Sequence, residues 1–195
     1  MVARKIAEAT PEVKITANTT TPESDEDVFT LIEGSNFVVN CLNQGQSSLI
    51  YKLNRACLKA KISWTSGVSA GAEVVIGPTV VPFETACYLC YKMRTVACAG
   101  NPEDEFAFES FLDRRKQDDS SQNESLVFGV GLAANILSLE TMKALSGQLS
   151  PSTIGKIVVF DLLNLNSSKH VVLRMPSCPA CFKSENAAAT TANAS

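Results

Sequence analysis

Histidine is almost missing from this chain, with one residue in 195, and tryptophan is equally scarce. A single imidazole, His170, leaves no Ser-His-Asp or Cys-His-carboxylate set to build. With sulfur ligands available elsewhere, His170 reads as a polar strand residue and not as a metal ligand. Long apolar runs are also lacking. No stretch of 18 apolar residues occurs, and no charged segment followed by an apolar one opens the chain, so neither a membrane span nor a secretory signal is visible and a cytoplasmic location is expected. Charge shows no bias, since 17 Lys and Arg against 20 Asp and Glu give a net charge of −3. The basic residues are scattered. Without a basic stripe, nucleic acid is not an expected partner.

Sulfur, in contrast, is plentiful. Seven cysteines, an odd number, suit metal ligands plus buried thiols better than a disulfide framework in a reducing compartment. Four of them form two Cys-x-x-Cys pairs, Cys87-Tyr88-Leu89-Cys90 and Cys178-Pro179-Ala180-Cys181. A two-residue spacer lets both sulfurs of a pair turn toward one ion, and four thiolates complete a closed tetrahedral zinc site. The nearby Gly77-Pro78, Pro176 and Pro179 supply turn chemistry. The two pairs lie too far apart for a local zinc ribbon, so the fold must bring them together. Structural Zn²⁺ on Cys87, Cys90, Cys178 and Cys181 is therefore the expected reading, ahead of disulfides or unrelated thiols. Cys41 and Cys57 lie in apolar segments and are expected in the core.

With 45% apolar residues, the chain can bury a sizeable core without a staple. Residues 2–8 read as a helix ending before Pro11, and Val13-Lys14-Ile15-Thr16 as an alternating strand. A polar surface loop is expected over 17–27. The apolar run Phe37–Cys41 is a buried strand, Ser47–Ala60 is a helix by period, and 61–64 and 72–76 are strands, which together form a βαβ unit. A short helix is expected at 106–112, with the acids Glu103-Asp104-Glu105 at its N-terminal side, where they favour the helix dipole. A mobile polar loop follows over 113–125. Residues 126–147 should form a buried helix with Val130, Ala133, Ala134, Leu137 and Thr141 on one face and Gly147 as its C-cap. Strands at 157–162 and 171–174 deliver the chain to Cys178, and residues 183–195 read as a disordered tail.

Several of these residues carry a resemblance. Ile76-Gly77-Pro78, Pro82, Thr85, Cys87-x-x-Cys90, Arg94, the Gly129-x-Gly131 helix ending in Leu145-Ser146-Gly147, Phe160-Asp161, and Leu173-Arg174 leading to Cys178 together resemble the ThiF-like superfamily of ubiquitin-activating-type enzymes. Within it, Thr85-Ala86-Cys87-Tyr88 and the stretch from His170 to Cys181 look most like the ThiF-like proteins of thiazole/oxazole-modified peptide and bacteriocin biosynthesis, partners or fused scaffolds of a YcaO-type cyclodehydratase. The resemblance implies an α/β, partial Rossmann-like fold of the ThiF and ubiquitin-activating (E1) type with a zinc-stapled C-terminal part. Residues 1–182 would be one partial domain, 1–70 a remnant of the Rossmann half and 71–182 the zinc-bearing half.

It also implies carboxylate adenylation with ATP and Mg²⁺, but the pattern departs twice. No G-x-G-x-x-G precedes Val2, so the phosphate cradle at a helix start is not seen. Asn43 stands at the family's metal-binding Asp position, replacing a hard anionic ligand by an amide. In the family's 3-2-1-4 strand order the middle of the sheet would then be missing. A truncated gene product, a second polypeptide filling the gap, or re-pairing of the first strand would each account for it.

Two functions remain. One is a scaffold binding a YcaO-type cyclodehydratase and a precursor peptide. The other is a fragment of an adenylating enzyme acting on a sulfur carrier or peptide C-terminus. A homodimer is a further partner expectation. Cys98 is a weak candidate for a reactive thiol with Lys92 and Arg94 nearby, the plain alternative being an inert thiol beside the metal loop. Lys92, Arg94, Arg174 and Lys183 are also candidates to offset the charge of a four-thiolate centre.

Overall fold

Apolar side chains spaced at helical period through Leu49, Leu53 and Cys57 give one long helix, and in the computed structural model it spans Ser47–Ala60, as its sequence predicts. The structure describes residues 2–42, 45–118 and 125–182. Before that helix come α1 (Val2–Ala9), α2 (Asp25–Ile32) and β1 (Val38–Asn40), so Ser47–Ala60 is α3. Then follow β2 (Trp64–Ala70), β3 (Glu73–Ile76), α4 (Tyr88–Cys98), α5 (Pro102–Asp118), α6 (Val127–Ser146), β4 (Lys156–Asp161) and β5 (Asn166–Val171). The fold class is mixed α/β, as expected. Among the described residues the strands form a single sheet in the order β1-β2-β3-β4-β5. β1 and β2 are parallel, joined by α3 as the expected βαβ crossover, and the remaining pairings are antiparallel.

Several expectations are corrected. Val13–Thr16 is not a strand: it pairs with no strand among the described residues, and only Ile15 is even partly covered. Alternation by itself does not hold a strand; a neighbour must accept its hydrogen bonds and its apolar face. The sheet accordingly has no interior gap, and β1 lies at one edge. The polar stretch before residue 27 ends in α2, whose start is a capping box. The Ser24 hydroxyl accepts from the Asp27 N–H at 3.0 Å, and the Asp27 carboxylate accepts from the Ser24 N–H at 2.9 Å. Those hydrogen bonds, the Ser24 backbone first, hold the Asp27 carboxyl below its usual range. The short helix expected at 106–112 is longer, starting at Pro102 and absorbing the first part of the expected loop. The second strand of the C-terminal meander lies earlier than expected, at Asn166–Val171. The tail at 183–195 lies outside the described residues.

Two cores flank the sheet. The larger gathers Val28, Ile32, Leu53, Cys57, Trp64 and Val80 around the paired cysteines, and the smaller packs Ala133 and Leu137 of α6 onto Val74 and Ile76 of β3. Cys57 is fully buried, its thiol pushed up to about 12 by burial, whereas Cys41 is exposed. β1 ends at Asn40, so Cys41 leaves the sheet and loses its cover. α6 buries Ala133 and Leu137 as expected, but its covered face is turned from the one expected. Val130 and Ala134 face outward, and the covered stripe is Gly129, Ala133, Leu137 and Glu140. One sheet contacts one side of a helix, so an apolar sequence does not by itself bury the rest. Gly147 caps α6 in the left-handed conformation, at φ 65°. Among the described residues no helix is long and apolar enough to cross a membrane.

A buried polar chain fastens α6 to the loop before β4. Glu140 accepts from the Thr153 N–H at 2.9 Å and its hydroxyl at 2.8 Å, and pairs with Lys143 at 2.7 Å. Thr79 Oγ1 lies 2.7 Å from Thr153 Oγ1 and 3.0 Å from Thr65 Oγ1. Burial alone would raise the Glu140 carboxyl, but Lys143 and Thr153 outweigh it and hold the pKa below the ordinary 4.5. A depressed folded value gives stability that is complete above the unfolded value and is lost as pH falls through the folded one. Unfolding by urea at about pH 6 and about pH 3 will therefore show a smaller acid loss in Glu140→Gln than in the parent. An equal loss in both proteins would contradict the assignment.

Candidate functional site

The two Cys-x-x-Cys pairs reach one point from opposite ends of the larger core. Thr85 closes a tight turn before the first pair, its hydroxyl accepting from the Val81 N–H at 2.9 Å. Cys87 is then the N-cap of α4 and Cys90 lies in its first turn. Buried Asn54 of α3 accepts from the Tyr88 N–H at 3.0 Å, which fixes the start of α4. The sequence offers a weak signal for this contact, a polar residue between Leu53 and Cys57 on the covered side of α3. The second pair sits in a turn after β5, where Cys178 N–H donates to the Met175 carbonyl at 3.2 Å and Phe182 N–H to the Cys178 carbonyl at 2.9 Å. Arg174 clasps both loops, donating to the Phe83 carbonyl at 2.9 Å and the Cys181 carbonyl at 3.1 Å.

The four sulfurs are buried and lie within 4.8 Å of one another. Cys87–Cys90, Cys87–Cys178 and Cys90–Cys181 are 3.9, 3.7 and 3.6 Å apart. Zinc–sulfur bonds of about 2.3 Å place tetrahedral vertices about 3.8 Å apart, so this spacing suits a Zn(Cys)₄ unit. It is nearly twice the roughly 2.05 Å of a disulfide. The Met175 N–H points at Cys90 Sγ from 3.4 Å, a donor that stabilises a thiolate. Burial pushes the Cys87 thiol up, and Cys181 follows for the same first reason. At Cys178 burial also acts upward, but N–H groups of Cys181 and Ala180 and the neighbouring sulfurs outweigh it and bring that thiol down. The donor set is all sulfur and closed, which fits a structural ion and leaves no ligand position for substrate.

The other candidates fare differently. Lys92 does not face the sulfurs; its ammonium bonds Glu105 at 3.1 Å and Glu109 at 2.7 Å. Arg94 donates to the Arg174 carbonyl at 3.4 Å. Cys98 is exposed at the end of α4, with both expected cations occupied elsewhere. His170 lies on exposed β5, 2.8 Å from the Ser168 hydroxyl. Asn43 and Lys183 lie outside the described residues, while Asn40 is buried at the end of β1 and accepts from the Leu42 N–H at 3.0 Å. Next to the cysteine loops, on the face of β2 and β3 opposite α6, lies a cavity of about 420 Å³ bounded by Asn40, Val68, Val75, Tyr88, Tyr91 and Lys92 and roofed by α5.

An α/β sheet with a parallel βαβ start and a buried four-cysteine cluster able to hold a metal ion is compatible with a ThiF-type fold. The chain belongs to the ThiF family, whose sequence pattern matches residues 1–180. No curated protein sequence matches it. Among solved structures it is similar to E. coli MccB with ATP, at 15% identity and a TM-score of 0.72 over 93% of this chain and 49% of that one. The Microcin C7 biosynthetic enzyme MccB in complex with N-formylated MccA gives 17% identity and a TM-score of 0.74, over 93% and 51%. A heterocyclase in complex with substrate and cofactor gives 16% and 0.58, over 85% and 24%. The chain thus spans about half the length of the MccB chains it resembles.

Proposed function

We propose that this ThiF-family protein is a zinc-stapled scaffold in the maturation of thiazole/oxazole-modified peptides, acting in the cytoplasm and docking a YcaO-type cyclodehydratase and its precursor peptide. The observation that carries the reading is the closed sulfur tetrahedron of Cys87, Cys90, Cys178 and Cys181. A site with no open position supports loops and does not activate water. The likeness to a heterocyclase complex and to a peptide-bound MccB supports a peptide partner. Residues 1–182 act as one domain in this reading, and a homodimer is compatible with it.

A second reading is part of an ATP-dependent adenylating enzyme. It is favoured by the cavity beyond the end of β1, since nucleotide folds hold ligands outside the carboxyl ends of their strands. Against it stands the amide of Asn43, where the family's pattern has a metal-binding Asp. ATP–pyrophosphate exchange with candidate peptides separates the two. The expected result is exchange at background for the chain alone, unchanged by Asn43→Asp, alongside binding to a cyclodehydratase in a pull-down of purified proteins. Exchange above background without an added subunit would overturn the scaffold reading.

A further inference from the structure

Helix α5 is built inside out. None of its described side chains is buried, and of the four that are partly covered, Glu105, Glu109, Leu112 and Asp113, three are carboxylates. Phe106, Phe108 and Phe111 meanwhile remain 41%, 55% and 49% exposed. A helix resting on a protein normally turns its apolar stripe inward and its charges outward. Here the acids at positions i, i+4 and i+8 form the docking edge, an arrangement that repels itself on an isolated helix and needs outside partners.

Those partners line the wall beneath. Lys92 of α4 bonds Glu105 and Glu109. The Tyr51 hydroxyl reaches Glu109 at 3.5 Å. Asp113 accepts from the Ser47 and Ser48 N–H groups at 3.0 and 3.1 Å, capping α3 with a carboxylate from another helix. Apolar packing is sparse, for the contact line is flanked by the 420 Å³ cavity on one side and by a cleft of about 340 Å³ on the other. Phe108 sits at the margin of the first space and Phe106 at the margin of the second.

We infer that α5 is a lid over the cavity on the β2–β3 face, held shut by its own carboxylates in an autoinhibitory contact. Beneath it lie Val68 and Val75, paired across β2 and β3, and the rings of Tyr88 and Tyr91, a partly apolar floor that α5 leaves half-buried and that opening exposes further. Charge-assisted hydrogen bonds provide the hold, so it weakens with salt and gives way to a competing partner without disturbing either core. The lid operates in both functional readings, because it concerns access to the cavity and not the chemistry performed there.

The test places a thiol on the floor and times its alkylation. In Val68→Cys protein, labelling by a maleimide, resolved to the site by mass spectrometry, is compared with and without the pair Glu109→Ala and Asp113→Ala. Alanine keeps helix propensity high, so the pair removes the ties and not the helix. Labelling at position 68 is expected to rise about tenfold, with amide exchange faster in α5 and in the first turn of α3 that Asp113 caps, and unchanged in the rest of α3. Unchanged labelling would make α5 a fixed wall and overturn the inference. If the pair also speeds exchange throughout α3 and β2, the Val68→Cys protein alone decides. Its labelling rises between about 0.05 and about 1 M sodium chloride for a lid and stays level for a wall.

Discussion

Protein purified under reducing conditions without chelator will carry one zinc ion per chain, and Cys178→Ser will carry none. The sulfurs of Cys87, Cys90, Cys178 and Cys181 already stand at tetrahedral spacing in a buried pocket, so the ion needs no rearrangement to enter. Without metal the four sulfurs make only van der Waals contacts and weak hydrogen bonds, whereas four thiolates on zinc are held by strong bonds. Apparent zinc binding of roughly 10–16 kcal/mol is coupled directly to folding in such sites. The whole stability of a domain is only about 5–15 kcal/mol, so loss of the ion is expected to melt the loops around it and lower the thermal midpoint by tens of degrees. Cys98→Ser, which alters an exposed thiol outside the cluster, should keep both metal and midpoint. Elemental analysis of the three proteins, with a melt before and after chelation, checks the expectation. Wild-type protein without metal, or Cys178→Ser retaining it, would sink the zinc assignment.

Gly77→Ala is expected to destabilise the fold by about 3 kcal/mol or more, although it adds a single methyl group. Gly77 has φ +91°, and a Cβ built there would stand 2.5 Å from the Lys156 carbonyl oxygen and 3.1 Å from Thr153 Cβ. The carbonyl belongs to the first residue of β4, in register with Val171 of β5, so moving it disturbs the β4–β5 ladder. The Gly77 N–H meanwhile donates to the Ser66 carbonyl at 2.7 Å, and its own carbonyl accepts from the Ser66 hydroxyl at 3.1 Å, so the turn is pinned on both sides. Gly71→Ala is the control. It also has positive φ, 55°, but nothing lies within 4 Å of its Cβ position, so its cost is conformational only, about 1 kcal/mol. Urea denaturation of both variants measures the difference, and equal losses would show that the backbone contact at Gly77 relaxes freely.

What could be read from the residues alone was whatever rests on local spacing. α3 was legible to its ends because Leu49, Leu53 and Cys57 repeat at helical period and pack inward. The cysteine pairs were legible because a two-residue spacer has few other uses, and the fold does bring them together across a sequence separation of 91. Misreadings came where a residue's surroundings are supplied from far along the chain. Val13–Thr16 alternates as a strand does, but no neighbour receives it. Val130 and Ala134 look interior, but β2 and β3 cover only the opposite side of α6. Lys92 was read beside the cysteines because it follows them in sequence, while the helical turn of α4 carries it round to Glu105 and Glu109. α2 did leave a local trace, the Ser24-x-x-Asp27 capping box, masked by the acidic and threonine-rich residues around it.

With zinc in place, the stretch from Cys87 to Cys181 is closed on itself as a ring. A protease cut inside that ring, for example between α5 and α6, leaves a linear break but no free piece, because the metal still ties one fragment to the other and the β3–β4 ladder aligns them. The protein can therefore be nicked and remain a single particle until a chelator or an oxidant takes the ion. Its integrity then depends on thiol chemistry rather than on an unbroken main chain.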